Sequence, residues 1–306
     1  GRFDAEDIDE TVAFLEWLRD ENIVLLGHRG YAIEGSDDES AIQVVAGSGL
    51  GILRDEGTSA FASDTRLEDV EPAVRLRVES GELLTVSKTT RVSTVHRRAR
   101  MDYIGVKTVD PDGTVTGELR LLGLFTSKAY MEPAGEVPVA RRKLRQVLAA
   151  EDLVPGSHDY KVAVGLIENF PLDELLSAST DTLRTTVVQL LELQEQRKVR
   201  LFAHRDIFDR SVSLLVALPR DRFNAELRHR LQDLFVERFH GSSVDYHLAL
   251  GETDPAQIHF RIHVADGPVP DVSFAELEHE VAALARTWDD RLLERLVGLH
   301  GEERGR

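Results

Sequence analysis

The amino-acid sequence predicts an α+β fold with an antiparallel β-rich region, a helical connector, a ββαββα module and a terminal helix. Residues 22–132 contain short apolar runs rich in Val, Ile and Thr, separated by Gly- and Pro-containing turns, which is typical of antiparallel strands. Residues 133–196 instead space their apolar side chains at helical intervals. From residue 197 onward, two pairs of strand-like runs alternate with two amphipathic helical patterns.

Composition narrows the class of protein. With 306 residues, 42% of them hydrophobic, the chain is long enough for two domains with cores of their own. The absence of cysteine excludes disulfides, thiolate nucleophiles and cysteine-based metal sites. No apolar run approaches the roughly 18 residues of a membrane span, so we expect a cytoplasmic protein without membrane contact. Because the sequence opens on Gly-Arg and is amphipathic almost at once, we also expect a segment of a larger polypeptide.

The β-rich region is predicted to follow a helical lead-in at residues 1–21. Its expected strands are Ile23–Tyr31, Ala41–Val45, Leu50–Arg54, Val74–Val78, Leu83–Val86, Tyr103–Val109 and Val115–Phe125. Between the last two, the turn Asp110-Pro111-Asp112-Gly113 indicates a hairpin, because proline fixes φ and glycine supplies a positive φ. Such a sheet needs a cover on one face. We expect the connector to supply it with helices at Val137–Ala150, Asp159–Asn169 (capped by Ser157), Leu172–Leu176 and Thr182–Gln196.

The module at residues 197–270 is predicted as strands Val199–His204 and Ser211–Leu218, helix Phe223–Phe239, and strands Val244–Leu250 and Ile258–Val264. With the helix that follows, this ββαββα order is a circular permutation of the ferredoxin-like plan βαββαβ. The last region, 271–306, is predicted to be helical from Ser273 to about Leu299. Its apolar seam requires a partner. Either it covers the sheet of the same module, or it docks on another part of the polypeptide or another subunit.

One stretch concentrates positive charge in a chain whose formal net charge is -17. Residues 83–107 contain six basic residues and one acid, Asp102, and their Thr, Ser and Val content predicts an extended strand. The strand could grip a nucleic acid, hold an acidic small molecule or partner, or neutralise acids elsewhere in the same assembly. The acidic total argues against phosphate-backbone binding, so we expect no nucleic-acid partner. We favour contact with another domain or subunit through Arg91, His96, Arg97, Arg98, Arg100 and Lys107.

Three further motifs are judged by their spacing. His259 and His263 lie in an alternating strand-like run, where four residues span roughly 13 Å, so one metal cannot bridge them. We expect a solvent-facing stripe and no metal site. Residues 47–51, Gly-Ser-Gly-Leu-Gly, lack the GxGxxG spacing and precede a strand, which favours a hairpin turn over a dinucleotide loop. No serine stands in a nucleophile-elbow context, so we expect no catalytic residue and no cofactor in this segment.

A strand-to-helix junction offers a binding hypothesis. Arg220, Asp221 and Arg222 lie where the second strand of the module ends and its helix begins. Backbone N–H groups at a helix start favour an anion, and either arginine could bind a carboxylate through two hydrogen bonds. Alternatively, Asp221 caps the helix and the arginines are solvated. The first alternative predicts an effector-binding site at these three residues.

Short motifs distributed in order over residues 10–265 carry a resemblance to a known family. They include Leu25-Leu26-Gly27-His28-Arg29, Gly49-Leu50-Gly51-Ile52-Leu53-Arg54, Asp102-Tyr103-Ile104-Gly105-Val106-Lys107, Leu122-Gly123-Leu124-Phe125-Thr126-Ser127, Ser157-His158-Asp159 and Pro219-Arg220-Asp221-Arg222. In these motifs the chain resembles the N-terminal segment of the large bacterial NAD-specific glutamate dehydrogenases. The resemblance implies a PAS-like domain at 22–132 and an ACT-like domain at 197–270, within a regulatory and oligomer-building half.

The resemblance also implies a parent enzyme that uses NAD to convert L-glutamate to 2-oxoglutarate and ammonium in the cytoplasm. Its implied partners are the catalytic domain of the same polypeptide, the other subunits of a homo-oligomer and an amino-acid effector. The family's dehydrogenase domain would lie C-terminal to these residues, so no catalytic residue is carried over to this sequence. The alternative from another class is a module that binds nucleic acid or an acidic partner through the basic strand, without a link to dehydrogenase activity.

Overall fold

The computed structural model describes most of the chain. The described residues are 3–35, 40–55, 57, 65–70, 72, 75, 78, 80–193, 196, 198–250, 255–265, 267–286, 292 and 295. By packing, the chain divides into two units. The first comprises Gly1–Leu183 with Asp206–Asp209, and the second comprises Arg184–Arg205 with Arg210–Arg306. Among the described residues, no helix is long and apolar enough to cross a membrane.

The first unit begins with helix α1, Ala5–Trp17. Asp4 caps it, because its side chain accepts a hydrogen bond from the N–H of Glu6 at 3.4 Å. A π-helical segment, Leu18–Asn22, continues α1 and contains the left-handed residue Glu21, with φ 64°. The chain then becomes extended at Ile23. The predicted helical lead-in therefore ends where the sequence indicated.

The sheet of the first unit contains seven described strands, β1 Ile23–Glu34, β2 Ala41–Val44, β3 Leu50–Gly51, β4 Thr65–Arg66, β5 Leu84–Val92, β6 Arg100–Val109 and β7 Val115–Phe125. Their order is β4-β2-β1-β7-β6-β5, and β3 also pairs with β1. All of these pairings are antiparallel. The hairpin predicted around Pro111 is formed by β6 and β7, with Gly113 at φ 86°. An antiparallel β-rich region is confirmed.

Two strand predictions in this unit are wrong. Residues 83–107 are not one strand, because β5 and β6 pair with each other and residues 93–99 connect them. The strand expected at Val74–Val78 lies mostly outside the described residues, but residues 75 and 78 are helical. In the sequence, the apolar residues of this run alternate, as they do in a strand. The first and last are also four residues apart, so they would share one face of a helix as well. A run of five residues could not distinguish the two periods.

Helices fill most of the chain from residue 127 to residue 193. They are α2 Ser127–Met131, α3 Ala140–Ala150, α4 His158–Glu168, α5 Leu172–Ser177 and α6 Thr180–Leu193. Ser157 caps α4 as predicted, since its hydroxyl accepts a hydrogen bond from the N–H of Tyr160 at 3.2 Å. Helix α3 begins at Ala140 instead of the predicted Val137, because Val139 takes a left-handed conformation with φ 69°.

The second unit contains strands β8 Arg200–Arg205, β9 Ser211–Leu218, β10 Gly241–Ala249 and β11 Ala256–Val264. Helix α7, Ala225–Arg238, follows β9, and helix α8, Phe274–Leu284, follows β11. The four strands are antiparallel in the order β10-β11-β9-β8. When the βαββαβ plan is started at its second strand, its sheet acquires this same order. The predicted circular permutation is therefore confirmed.

One core holds the second unit together. Val212, Leu214, Val216 and Leu218 of β9 alternate with residues of the opposite face, and they pack with β11 against α7 and α8. The helices contribute Leu231, Phe235, Leu277 and Val281, all buried. For the described part of the terminal helix, covering its own sheet is thus the alternative that the structure supports. Residues 287–306 lie outside the described residues, apart from 292 and 295.

Candidate functional site

The basic stretch neutralises part of its own charge. Lys88 of β5 lies opposite Asp102 of β6, and the Lys88 Nζ is 2.5 Å from the Asp102 Oδ1. The other carboxylate oxygen, Oδ2, accepts a hydrogen bond from the N–H of Phe125 at 2.8 Å. Asp102 is fully buried. A buried carboxylate of this kind needs its cation, because an unpaired charge in the interior is costly. The pair therefore has a structural role in the hairpin.

The ammonium of Lys88 is held in its charged form. Burial acts to lower the pKa of Lys88, but the negative charges of Asp173 and Asp102 outweigh it, so the pKa rises above its ordinary value. Asp173 belongs to α5. The Nζ also lies 3.2 Å from the hydroxyl of Tyr130 and 5.9 Å from the centre of its ring. These groups are all in the first unit.

Five of the six residues predicted to contact another domain or subunit form two groups. Arg91, His96 and Arg98 are exposed on the β5–β6 hairpin, where His96 has φ 66°. Arg97 and Arg100 each donate to a backbone carbonyl of their own unit, that of Phe125 at 2.6 Å and that of Thr90. Contact with a partner stays a prediction for these five residues.

Lys107 occupies a different position from the one we expected. It is only 5% exposed, and its Nζ donates to the backbone oxygen of Ser80 at 2.6 Å and to the Ser80 hydroxyl at 3.0 Å. On β6, Lys107 faces one side of the sheet, whereas the exposed charges lie in the hairpin connection. A buried and hydrogen-bonded ammonium has no surface left for a partner, so a contact role does not fit Lys107.

A cage of aromatic and charged side chains lies on the same face of the first unit's sheet as Lys107. The guanidinium carbon of Arg120 is 4.4 Å from the ring centre of Tyr31 and 5.2 Å from that of Tyr103. Both distances are within the range of cation–π attraction. The hydroxyl of Tyr103 donates to the Glu118 Oε1 at 2.5 Å, and the Arg120 Nη2 donates to the same oxygen at 3.4 Å. We call Tyr31, Tyr103, Glu118 and Arg120 the arginine cage.

The arginine cage is packed rather than open. The cavity beside it has a volume of about 50 Å³, which is room for one or two water molecules. Burial acts to lower the pKa of Arg120, while Tyr103 and Glu118 raise it, and the net pKa is raised, so the guanidinium stays charged. The cavity is too small for an effector of amino-acid size.

The predicted effector residues lie in a single 3₁₀ turn. Arg220–Arg222 form this turn directly after β9, with Arg220 and Asp221 exposed and Arg222 half-buried. The cap of α7 is Asn224 and not Asp221, because the Asn224 side chain accepts a hydrogen bond from the N–H of Leu227 at 2.8 Å. The alternative in which Asp221 caps the helix is therefore wrong. Effector binding at Arg220, Asp221 and Arg222 stays a prediction.

The histidine stripe of β11 is not exposed to solvent. His259 and His263 are each 3% exposed and Arg261 is 8% exposed, so the expected solvent-facing stripe is wrong. β11 is an inner strand between β10 and β9, and side chains of those neighbours flank it. The His263 Nε2, for example, lies 2.9 Å from the Asp245 Oδ2 of β10. Among the described residues, no group of three or more His, Asp or Glu side chains is placed to hold a metal ion.

The glycine-rich run at residues 47–51 forms a turn, as predicted, but not a hairpin between its two flanking strands. Both β2 and β3 pair with β1 instead of with each other. Gly51 has φ 60°, and a Cβ atom there would lie 2.1 Å from the backbone oxygen of Leu26. Only glycine fits this close approach. The glycine-rich run therefore lets the backbone pack closely against β1.

The comparisons with known proteins agree with this architecture. Residues 200–289 match the family model described as the ACT2 domain of glutamate dehydrogenase, and residues 137–196 match helical motif 1 of glutamate dehydrogenase. The chain is 31% identical to an NAD-specific glutamate dehydrogenase of Halomonas elongata over 99% of its own length. It is 29% identical to those of Pseudomonas aeruginosa and Mycobacterium tuberculosis, over 98% and 96% of its length.

The chain is therefore similar to NAD-specific glutamate dehydrogenases along nearly its whole length. It spans 19% of the length of the Halomonas elongata relative and 18% of the other two. The matched ranges cover helices α3 to α6 and both β-hairpins of the second unit. The chain thus contains an ACT-type module, a helical motif and an antiparallel sheet.

Sequence reasoning missed the arginine cage. Glu118 and Arg120 are two residues apart on β7 and therefore share a face, which the strand period alone could have shown. Their aromatic partners come from β1 and β6, which flank β7. Finding the cage required the strand order. The motifs themselves carry no signal for it.

Proposed function

We propose that this segment is a non-catalytic, regulatory and assembly part of a large NAD-dependent glutamate dehydrogenase. The parent enzyme would oxidise L-glutamate to 2-oxoglutarate and ammonium in the cytoplasm, with NAD bound by another part of the same polypeptide. The observation that carries the proposal is the permuted four-strand sheet with its two covering helices, in the range that matches the ACT2 family model. Ferredoxin-like modules of this plan are commonly used to bind regulatory ligands.

The first unit is proposed to be PAS-like, and Arg220, Asp221 and Arg222 of the second to bind an amino-acid effector. A sheet of seven described antiparallel strands with helices beside it supports the first assignment. The 3₁₀ turn with two arginines, next to the start of α7, supports the second, because a carboxylate would gain two charged partners there. Subunit contact is proposed for the exposed Arg91, His96 and Arg98, since the chain is acidic overall.

The catalytic part of this proposal is tested by measuring NADH formation from L-glutamate with two samples. One is the 306-residue chain, and the other is the full-length polypeptide that contains it. We expect NADH from the full-length polypeptide alone. NADH formation by the 306-residue chain would contradict a non-catalytic role. The effector site is tested by calorimetry with a panel of amino acids on the wild type and on Arg220→Ala, and an unchanged affinity would remove that site.

A nucleic-acid-binding role remains the second candidate, because Arg91, His96 and Arg98 are exposed close together on one hairpin. Its affinity would come from phosphate contacts and would depend strongly on salt. Fluorescence polarisation with labelled single-stranded and duplex DNA and RNA at low salt distinguishes the two candidates. We expect no saturable binding. Saturable binding that Arg97→Glu/Arg98→Glu abolishes would favour the second candidate.

A further inference from the structure

The first unit contains a second concavity, larger and more polar than the space beside the arginine cage. Helix α1, the start of β5, helix α3 and the α5–α6 connection line it. Its volume of about 190 Å³ corresponds to about six water molecules, the size of a small metabolite. We call it the polar cleft, and its lining includes Asp7, Glu10, Glu82, Thr85, Val139, Arg142, Lys143, Gln146 and Thr180.

Thr85 lines the polar cleft and carries an unsatisfied hydroxyl. The residue is only 5% exposed, and its Oγ1 has no hydrogen-bond partner within the described part of the chain. Buried hydroxyls are nearly always hydrogen-bonded, because leaving one unpaired loses its interaction with water without replacement. Thr85 can both donate and accept. It is therefore a group that a ligand in the cleft would satisfy.

Backbone strain lies at the edge of the same cleft. Val139 has φ 69° and ψ -52°, a conformation that is rare for a β-branched residue. Its N–H donates to the Glu10 Oε2 at 2.9 Å, and the same carboxylate accepts from the Arg141 Nε at 3.0 and 3.1 Å. These bonds hold Val139 in place. Strained residues that the surroundings fix in this way concentrate at ligand sites.

The cationic wall of the cleft is fixed as well. The Lys143 Nζ donates to the backbone oxygens of Leu175, Leu176 and Ala178, at 3.0, 2.8 and 2.6 Å. It thereby satisfies carbonyls at the end of α5, which have no partner in their own helix. Arg142 pairs with Asp7 of α1. Both positive charges are thus placed before any ligand arrives.

The anionic side of the cleft is provided by α1 and by the loop before β5. Glu10 is 7% exposed. Burial acts to raise its pKa, but the N–H of Val139 and the guanidinium of Arg141 outweigh it and hold the pKa below its ordinary value. Glu10 is therefore ionised at neutral pH. Glu82 is exposed at the rim and lies close enough to Lys143 to act on its charge.

We propose that the polar cleft binds a small zwitterion of the amino-acid class, with the ligand carboxylate toward Arg142, its ammonium toward the exposed Glu82, and a hydrogen bond to the Thr85 hydroxyl. Charges of both signs in the lining of one cleft select such a ligand over a simple anion or a simple amine. The site differs from the turn at Arg220–Arg222. The inference rests on the proposed regulatory function and gives it a second, independent ligand site.

The test is calorimetry of the 306-residue chain with the twenty common L-amino acids, and with acetate and methylamine as probes of a single charge. We expect at least one amino acid to bind, and neither single-charge probe to match it. Thr85→Val keeps the shape and removes only the hydroxyl, so it should fold and weaken binding about tenfold, the effect of one buried hydrogen bond. Thr116→Val, on exposed β7 surface, is the matched control and should bind as the wild type does.

Two further variants separate this site from the one at Arg220. Glu82→Gln removes an exposed rim charge and should weaken binding less than about fivefold. Arg220→Ala should leave cleft binding unchanged. Binding that Arg220→Ala abolishes and Thr85→Val leaves intact would overturn the cleft proposal while keeping an effector role for the segment. If no amino acid binds, or acetate binds equally well, the cleft proposal is also overturned.

Discussion

Two charged regions of the first unit, the arginine cage and the polar cleft, differ in the room beside their charged side chains. In the arginine cage, Arg120 lies between two tyrosine rings and shares Glu118 with Tyr103, beside a cavity of about 50 Å³. In the polar cleft, about 190 Å³ is open beside Thr85, whose hydroxyl has no partner among the described residues. Buried charge alone therefore does not identify a ligand site, because a ligand also needs room beside the charged groups.

Removing the cation of the arginine cage should have the largest effect on stability. Arg120→Met leaves the half-buried Glu118 without its guanidinium, which should lower the free energy of unfolding by about 2 kcal/mol. Chemical denaturation of both proteins measures the difference. The double variant Glu118→Gln/Arg120→Met should recover part of the loss, because it also removes the carboxylate that has lost its cation. Additive losses would mean that the two side chains do not act as a pair.

Removing the Thr85 hydroxyl should have a smaller effect on stability, and of the opposite sign. Thr85→Val replaces an unsatisfied hydroxyl by a methyl group of the same shape, so the free energy of unfolding without ligand should rise by about 1 kcal/mol. The same denaturation experiment measures it, with Thr116→Val as the control expected within about 0.5 kcal/mol of the wild type. Destabilisation by Thr85→Val would show that the hydroxyl is satisfied in solution. The polar cleft would then lack the unsatisfied group on which the ligand proposal rests.

The pH dependence of stability tests how deeply Lys143 is buried in the wall of the polar cleft. Burial lowers the pKa of Lys143 to about 8, although Glu82 acts to raise it. In the unfolded chain a lysine has a pKa of about 10.4, so between about pH 8 and pH 10 the unfolded state binds more protons. The Lys143 contribution to stability should therefore increase as the pH rises through this window. Lys143→Met should lack that increase in thermal unfolding at successive pH values.

The exposed β5–β6 hairpin should respond least. Arg98→Ala removes an exposed charge of the β5–β6 hairpin and should change the free energy of unfolding by less than about 0.5 kcal/mol. If subunits contact each other at this hairpin, Arg98→Ala should instead weaken their assembly. Sedimentation velocity of the full-length polypeptide measures this, and an unchanged distribution of species for Arg91→Glu/Arg98→Glu would remove the proposed contact.

The sequence predicted elements whose signals are local. The ββαββα order of the second unit, the turn at Pro111 and the cap at Ser157 each depend on residues close together in the chain, and all three are confirmed. The cap of α7 was missed by three residues, because Asp221 and Asn224 are both good caps and the 3₁₀ turn before the helix decided between them.

Features that depend on distant residues could not be predicted in this way. His259 and His263 share a face, as their spacing required, but that spacing contains no information on whether the face is covered, and both side chains are buried. The polar cleft brings Thr85 near Glu10 and Lys143, which come from three separate elements. A single sequence contains no periodicity that joins them. The strand at Val74–Val78 failed for a local reason, since five residues fit both a strand and a helix.

The most direct test of a regulatory role uses the full-length polypeptide that contains this chain. The measurement is the rate of NADH formation from L-glutamate, with and without the amino acid that calorimetry identifies, in the wild type and in Thr85→Val. We predict that the amino acid changes the rate of the wild type, and that Thr85→Val needs about ten times more of the amino acid for the same change. An equal response in both proteins at every concentration of the amino acid would contradict the account.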